Sequence, residues 1–106
     1  MRATLVMVTF PSAEAARAIG RALVEARLAA SVNIAENVAS LYWWEGAVRE
    51  GAEALLFAKT RDDLVERLTG FVKERHPYVC PAIYATPITA GNPDYLAWIE
   101  TETAGE

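Results

Sequence analysis

Four large side chains in a row, Leu41-Tyr42-Trp43-Trp44, followed by Glu45-Gly46, constrain this chain more than any other stretch. In a strand, successive side chains point to opposite faces, so Leu41 and Trp43 load one face while Tyr42 and Trp44 load the other. Both faces then need cover, and one layer of helices in a small domain covers only one. The run therefore predicts burial partly by the chain's own core and partly by a second copy of the chain.

A chain of 106 residues, 53% apolar and 23% charged, has the size and composition of one globular domain spanning residues 1–106. The net charge of −4 and the lack of Lys/Arg clusters argue against nucleic acid or an anionic membrane as partner. The opening apolar run, Ala3 to Phe10, is too short to span a bilayer and is read as neither a signal peptide nor an anchor. A single cysteine, Cys80, leaves no intrachain disulfide, and a cytoplasmic location is expected.

Ala3–Thr9, rich in Val, Leu and Thr without alternation, reads as a central strand buried on both faces. Ser12 as N-cap, Glu14 in the first turn and Ala15, Ile19, Leu23 and Ala26 at helical spacing predict a helix over 12–29. A long extended segment from Ser31 to Val48 needs a bulge near Glu36-Asn37. Arg49-Glu50-Gly51 reads as the hairpin turn, and Ala54–Ala58 as the returning strand.

Thr60 and Asp62-Asp63 open a second helix with Leu64, Leu68, Phe71 and Val72 on its apolar side. The adjacent carboxylates are assigned to the helix N-terminus, because neighbours on a helix diverge by about 100° and do not converge as an acid–base pair. His76-Pro77-Tyr78-Val79-Cys80-Pro81 is a stiff connector, each proline holding its predecessor extended. Ile83–Thr86 forms a short strand, Asn92 and Pro93 start a last short helix, and 101–106 are expected to fray.

Strand, helix, strand, strand, helix, strand is the split βαβ order of α+β ferredoxin-like domains. Right-handed crossovers put the first and third strands at the centre of an antiparallel sheet with both helices on one face. The other face, apolar and bare, calls for an oligomer.

The motifs Tyr42-Trp43-Trp44-Glu45-Gly46, His76-Pro77-Tyr78 with Pro81, and Gly91-Asn92-Pro93-Asp94-Tyr95-Leu96-Ala97-Trp98-Ile99 together resemble the CutA family of divalent-cation tolerance proteins. The resemblance covers essentially the whole chain. It implies a ferredoxin-like, PII-like homotrimer with interlocked hairpins, in which Leu41, Tyr42, Trp43 and Trp44 form the trimer interface. It also implies a non-enzymatic protein with no required cofactor, linked to copper or other divalent cations. In bacterial relatives the residues proposed as copper ligands are a Cys late in the first strand, the His of His-Pro-Tyr and a Glu after the next Pro. The matching places here hold Val8, His76 and Ala82.

His76 and Cys80 are candidate metal ligands, being the soft and borderline donors of the chain apart from methionine. Four residues of extended chain separate their Cα atoms by about 13 Å, so a shared ion needs a turn at Pro77 or a neighbour's ligand. Catalysis by Cys80 lacks a nucleophile elbow or Gly-rich loop beside it. A second class of function is a sensing module, in which Asn33, Trp44, Lys59 and Tyr78 line an intersubunit cleft for a small anion. A third is a scaffold trimer without a ligand.

Overall fold

The computed structural model describes residues 2–104. Its elements are β1 (Ala3–Phe10), α1 (Ala13–Glu25), β2 (Ser31–Trp44), β3 (Ala47–Arg61), a 3-10 turn (Asp62–Leu64), α2 (Val65–Arg75), β4 (Ile83–Pro87) and α3 (Pro93–Glu102). The four strands make one antiparallel sheet in the order β2-β3-β1-β4, with β3 and β1 central as the split βαβ order requires.

The register sorts the strand residues by face. Val6, Val8 and Phe10 pair with Ala58, Leu56 and Ala54, and these six are buried with Ala16, Ile19 and Leu23 of α1 and Leu68 and Val72 of α2. That is the core, and both larger helices contribute to it. Leu5, Met7, Phe57 and Lys59 alternate with those residues and belong to the opposite face. This second face is not bare around Lys59, which is only 8% exposed. α3 packs against β3 and β1, with Ile99 fully buried outside the core shared by α1 and α2.

Several element boundaries differ from the sequence reading for local reasons. α1 stops at Glu25, not at Ala29, because Arg27 takes a left-handed φ of 58°. The amides of Arg27 and Leu28 then bond the carbonyls of Val24 and Leu23, a Schellman closure that buries Leu28. Thr60 lies in β3 and does not start a helix; its hydroxyl donates to the Leu28 carbonyl at 2.7 Å, satisfying the loop that α1 leaves behind. Thr101 and Glu102 continue α3 and Thr103 is buried, so 101–103 do not fray; residues 105–106 lie outside those described.

The hairpin turn is Glu45-Gly46, not Arg49-Glu50-Gly51. Glu45 and Gly46 have φ of 50° and 79°, the two positive angles that let a two-residue turn follow the strand twist. Arg49, Glu50 and Gly51 pair with Tyr42, Leu41 and Ser40 within the ladder. The expected bulge is present between Ala35 and Val38, where Asn37 takes a φ of 56°.

β1 pairs with β3 only from Ala54 onward, whereas β2 pairs with β3 out to the turn. Residues 38–53 therefore leave the sheet as a two-stranded ribbon, which accounts for the elongated 44 × 26 × 21 Å outline. A ribbon with no third strand or helix against it is marginal in water. This one carries Leu41, Tyr42, Trp43, Trp44 and Val48, all exposed in the single chain, with Trp43 75% exposed.

Candidate functional site

The connector after α2 organises the polar chemistry of the chain. Pro77 holds His76 extended at ψ 138°, which ends α2 at Arg75 and turns the imidazole inward. The ring stacks on Phe10 with centroids 4.6 Å apart and leans on Tyr78 at 4.9 Å. Nδ1 accepts the Tyr78 amide at 3.1 Å, so the ring proton sits on Nε2, which donates to the Thr9 carbonyl at 2.7 Å. His76 is 8% exposed with both nitrogens engaged. A metal bound there has to displace one of these hydrogen bonds, and no nitrogen is free to take a proton from a thiol.

Tyr78 carries the connector on to the hairpin. Its hydroxyl donates to Glu53 Oε2 at 2.6 Å, at the root of the ribbon. Burial first, then the hydrogen bond to Glu53 and its charge, raises the phenol well above its ordinary value, so Tyr78 stays a neutral donor. Ribbon and connector enclose a cleft of about 690 Å³ whose walls include Tyr42, Trp44, Glu53, Tyr78 and Cys80. Cys80 is exposed and free.

Lys59 stands elsewhere. Its Nζ donates to the Asn33 side-chain oxygen and to the Phe57 carbonyl at 3.3 Å. Desolvation lowers its pKa, because burial penalises the charged form and both partners are neutral.

Within one chain, the residues anticipated for an intersubunit anion cleft lie in two places. Trp44 and Tyr78 line the cleft, while Asn33 and Lys59 meet each other further along the sheet. Lys59 is six residues beyond Glu53 on β3, about 20 Å at the rise of a strand. The charged side chain of this intrachain cleft is a carboxylate, Glu53. Glu53 is the residue that sequence reasoning missed. An acid just before an apolar strand reads as solvated, and only the register and the tyrosine bond reveal its place.

His76 and Cys80 do not form a closed ligand set within one chain. Among the described residues there is no group of three or more His, Cys, Asp or Glu side chains placed to hold a metal ion. Val8, buried in the core, and Ala82 supply no donor side chain at the other two places. No helix among the described residues is long and apolar enough to cross a membrane.

Comparison with known proteins agrees with this architecture. The chain is 48% identical over 99 residues to the divalent-cation tolerance protein CutA of Thermus thermophilus, covering 93% of this chain and 96% of that protein. It is 43% identical over 99 residues to the chloroplastic protein CutA 1 of Oryza sativa, covering 93% of this chain but spanning 56% of that longer protein. The crystal structure of CutA1 from Oryza sativa superimposes with a TM-score of 0.95 at 40% identity, over 100% of this chain and 97% of that one. The CutA of Archaeoglobus fulgidus, described as a periplasmic divalent cation tolerance protein, gives 0.92 at 36% identity, over 95% and 98% of the two chains. With residues 4–102 matching the family described as CutA1 divalent ion tolerance protein, the chain belongs to that family.

Proposed function

We propose that this protein acts as a non-enzymatic homotrimer in divalent-cation tolerance, taking up copper or another divalent cation between subunits without needing one to fold. The observation that carries the assembly is the ribbon 38–53, which leaves the sheet with its aromatic side chains exposed. Stable two-stranded ribbons need something packed on them, and a closed oligomer supplies it from identical chains. Leu41, Tyr42, Trp43 and Trp44 are the interface in this reading.

The role in metal tolerance is supported by family membership and by the Thermus relative's description as a divalent-cation tolerance protein. Since a single chain brings together no three-ligand set among the described residues, an ion is shared between chains. Cys80, an exposed free thiol, is the soft donor available to it, and His76 joins only by giving up a hydrogen bond. The lone thiol also supports a reducing, cytoplasmic setting.

Native mass spectrometry combined with Cu²⁺ and Zn²⁺ titration of wild type, His76→Ala and Cys80→Ser tests the proposal. A trimer whose ion uptake falls in Cys80→Ser supports it. A monomer, or equal uptake by wild type and Cys80→Ser, removes the shared site. Equal affinities of wild type and His76→Ala exclude His76 alone.

A further inference from the structure

Interlocking needs the ribbon to leave the sheet at one angle, and a two-stranded ribbon does not hold an angle by itself. Its root is the weak point. β1 supports β3 only as far as the Phe10–Ala54 pair, and at the same level β2 carries its bulge, Glu36-Asn37, between Ala35 and Val38. A bulge bends a strand and increases its twist, so the ribbon can swing just where support from β1 ends. Glu53, paired with Val38, is the first residue of β3 beyond that point.

The connector, residues 76–82, is fastened at the same level. Both backbone groups of Thr9 hold it: the carbonyl accepts from His76 Nε2 at 2.7 Å, and the amide donates to the Ala82 carbonyl at 3.2 Å. His76 stacks on Phe10, the last residue of β1, and its Nδ1 accepts the Tyr78 amide. Pro77 and Pro81 stiffen the loop so clamped. From this fixed base Tyr78 reaches the ribbon and gives its hydroxyl to Glu53 Oε2 at 2.6 Å. We propose that the connector is a strut that fixes the angle of the ribbon for assembly, with Tyr78 as the positioning residue and Glu53 as its point of attachment. The proposal rests on the homotrimer reading. It needs no open space between ribbon and connector, since neighbouring chains can fill that space and leave the bond in place. A charged acceptor makes the bond stronger than a neutral pair, and a root already held in place lowers the ordering cost of association.

The test follows trimer dissociation on dilution by native mass spectrometry in wild type, Tyr78→Phe, Glu53→Ala, the double variant and Glu53→Gln. Tyr78→Phe keeps the ring and loses only the hydroxyl, and should raise the dissociation constant about tenfold. Glu53→Ala should do at least as much, and the double variant no more than Glu53→Ala, because both changes break one bond. Glu53→Gln, whose amide oxygen still accepts from the hydroxyl, should recover most of the loss. Hydrogen exchange at the ribbon amides should quicken in Tyr78→Phe while β1 and α1 exchange as in wild type. A Tyr78→Phe trimer that dissociates like wild type overturns the strut alone, and so do additive losses in the double variant. A wild type that is monomeric at every concentration overturns the homotrimer reading and the strut with it. Should Glu53→Ala fail to fold, Tyr78→Phe against wild type decides.

Discussion

Single residues here carry two opposite electrostatic situations. Lys59 is a buried ammonium held by neutral oxygens, and Tyr78 is a phenol held neutral beside a carboxylate. The lysine predicts a pH dependence of definite sign. Its folded-state pKa lies below the ordinary value, so between the two the unfolded chain binds the extra proton and stability rises with pH. The penalty is fully present below the lowered folded value and gone above the ordinary lysine range. Thermal melts from pH 7 to 10 should show wild type gaining stability relative to Lys59→Met. A flat difference between the two would mean that Lys59 is not desolvated. Tyr78 acts the other way only above the ordinary phenol range, because its raised value makes the unfolded chain lose the proton first. His76 was legible as the singular residue of its motif. Its role was not, since the atoms that occupy its nitrogens belong to Thr9, far away in sequence, and to Tyr78.

At the scale of elements, the helices and central strands were legible because their patterns are local. Ser12 caps α1 by accepting the Ala15 amide at 3.1 Å, and Asn92 caps α3 by accepting from Asp94 at 3.0 Å. The hairpin turn was misplaced because two glycine-bearing polar stretches compete, Glu45-Gly46 and Arg49-Glu50-Gly51. Composition favours the longer one. Register decides for the shorter, since it aligns the whole run from Val38 to Trp44 with Glu53 to Ala47. Gly46→Val should therefore cost about 1–2 kcal/mol, because a branched side chain at φ 79° is strained, while Gly51→Val should cost less within a paired strand. Chemical denaturation of both variants measures the ordering, and the reverse ordering would move the turn back to Gly51.

For the whole molecule, the ribbon is the unfinished part. In the single chain Trp44 is 47% exposed, so only part of its burial is internal. In the proposed trimer Trp44→Ala should cost about 3–5 kcal/mol and loosen assembly together with folding. Melting temperature should then depend on protein concentration more steeply than in wild type, with dissociation visible on dilution by native mass spectrometry. An unchanged trimer with unchanged melting would place the aromatic run outside the interface.

From the sequence alone come the α+β class, the split βαβ order, the central place of β1 and β3, and the excess of aromatic surface at Leu41–Trp44. These depend on periodicity, capping and proline, which act over a few residues, and on chirality rules that hold for any chain. Tertiary structure alone decided that Glu53 faces Tyr78, that Lys59 pairs with Asn33 away from the cleft, and that His76 is sealed against Thr9. Each is a meeting of residues at least 25 positions apart. Strand register and the path of the connector set those meetings, and a shift of one residue in register sends every side chain of a strand to the other face.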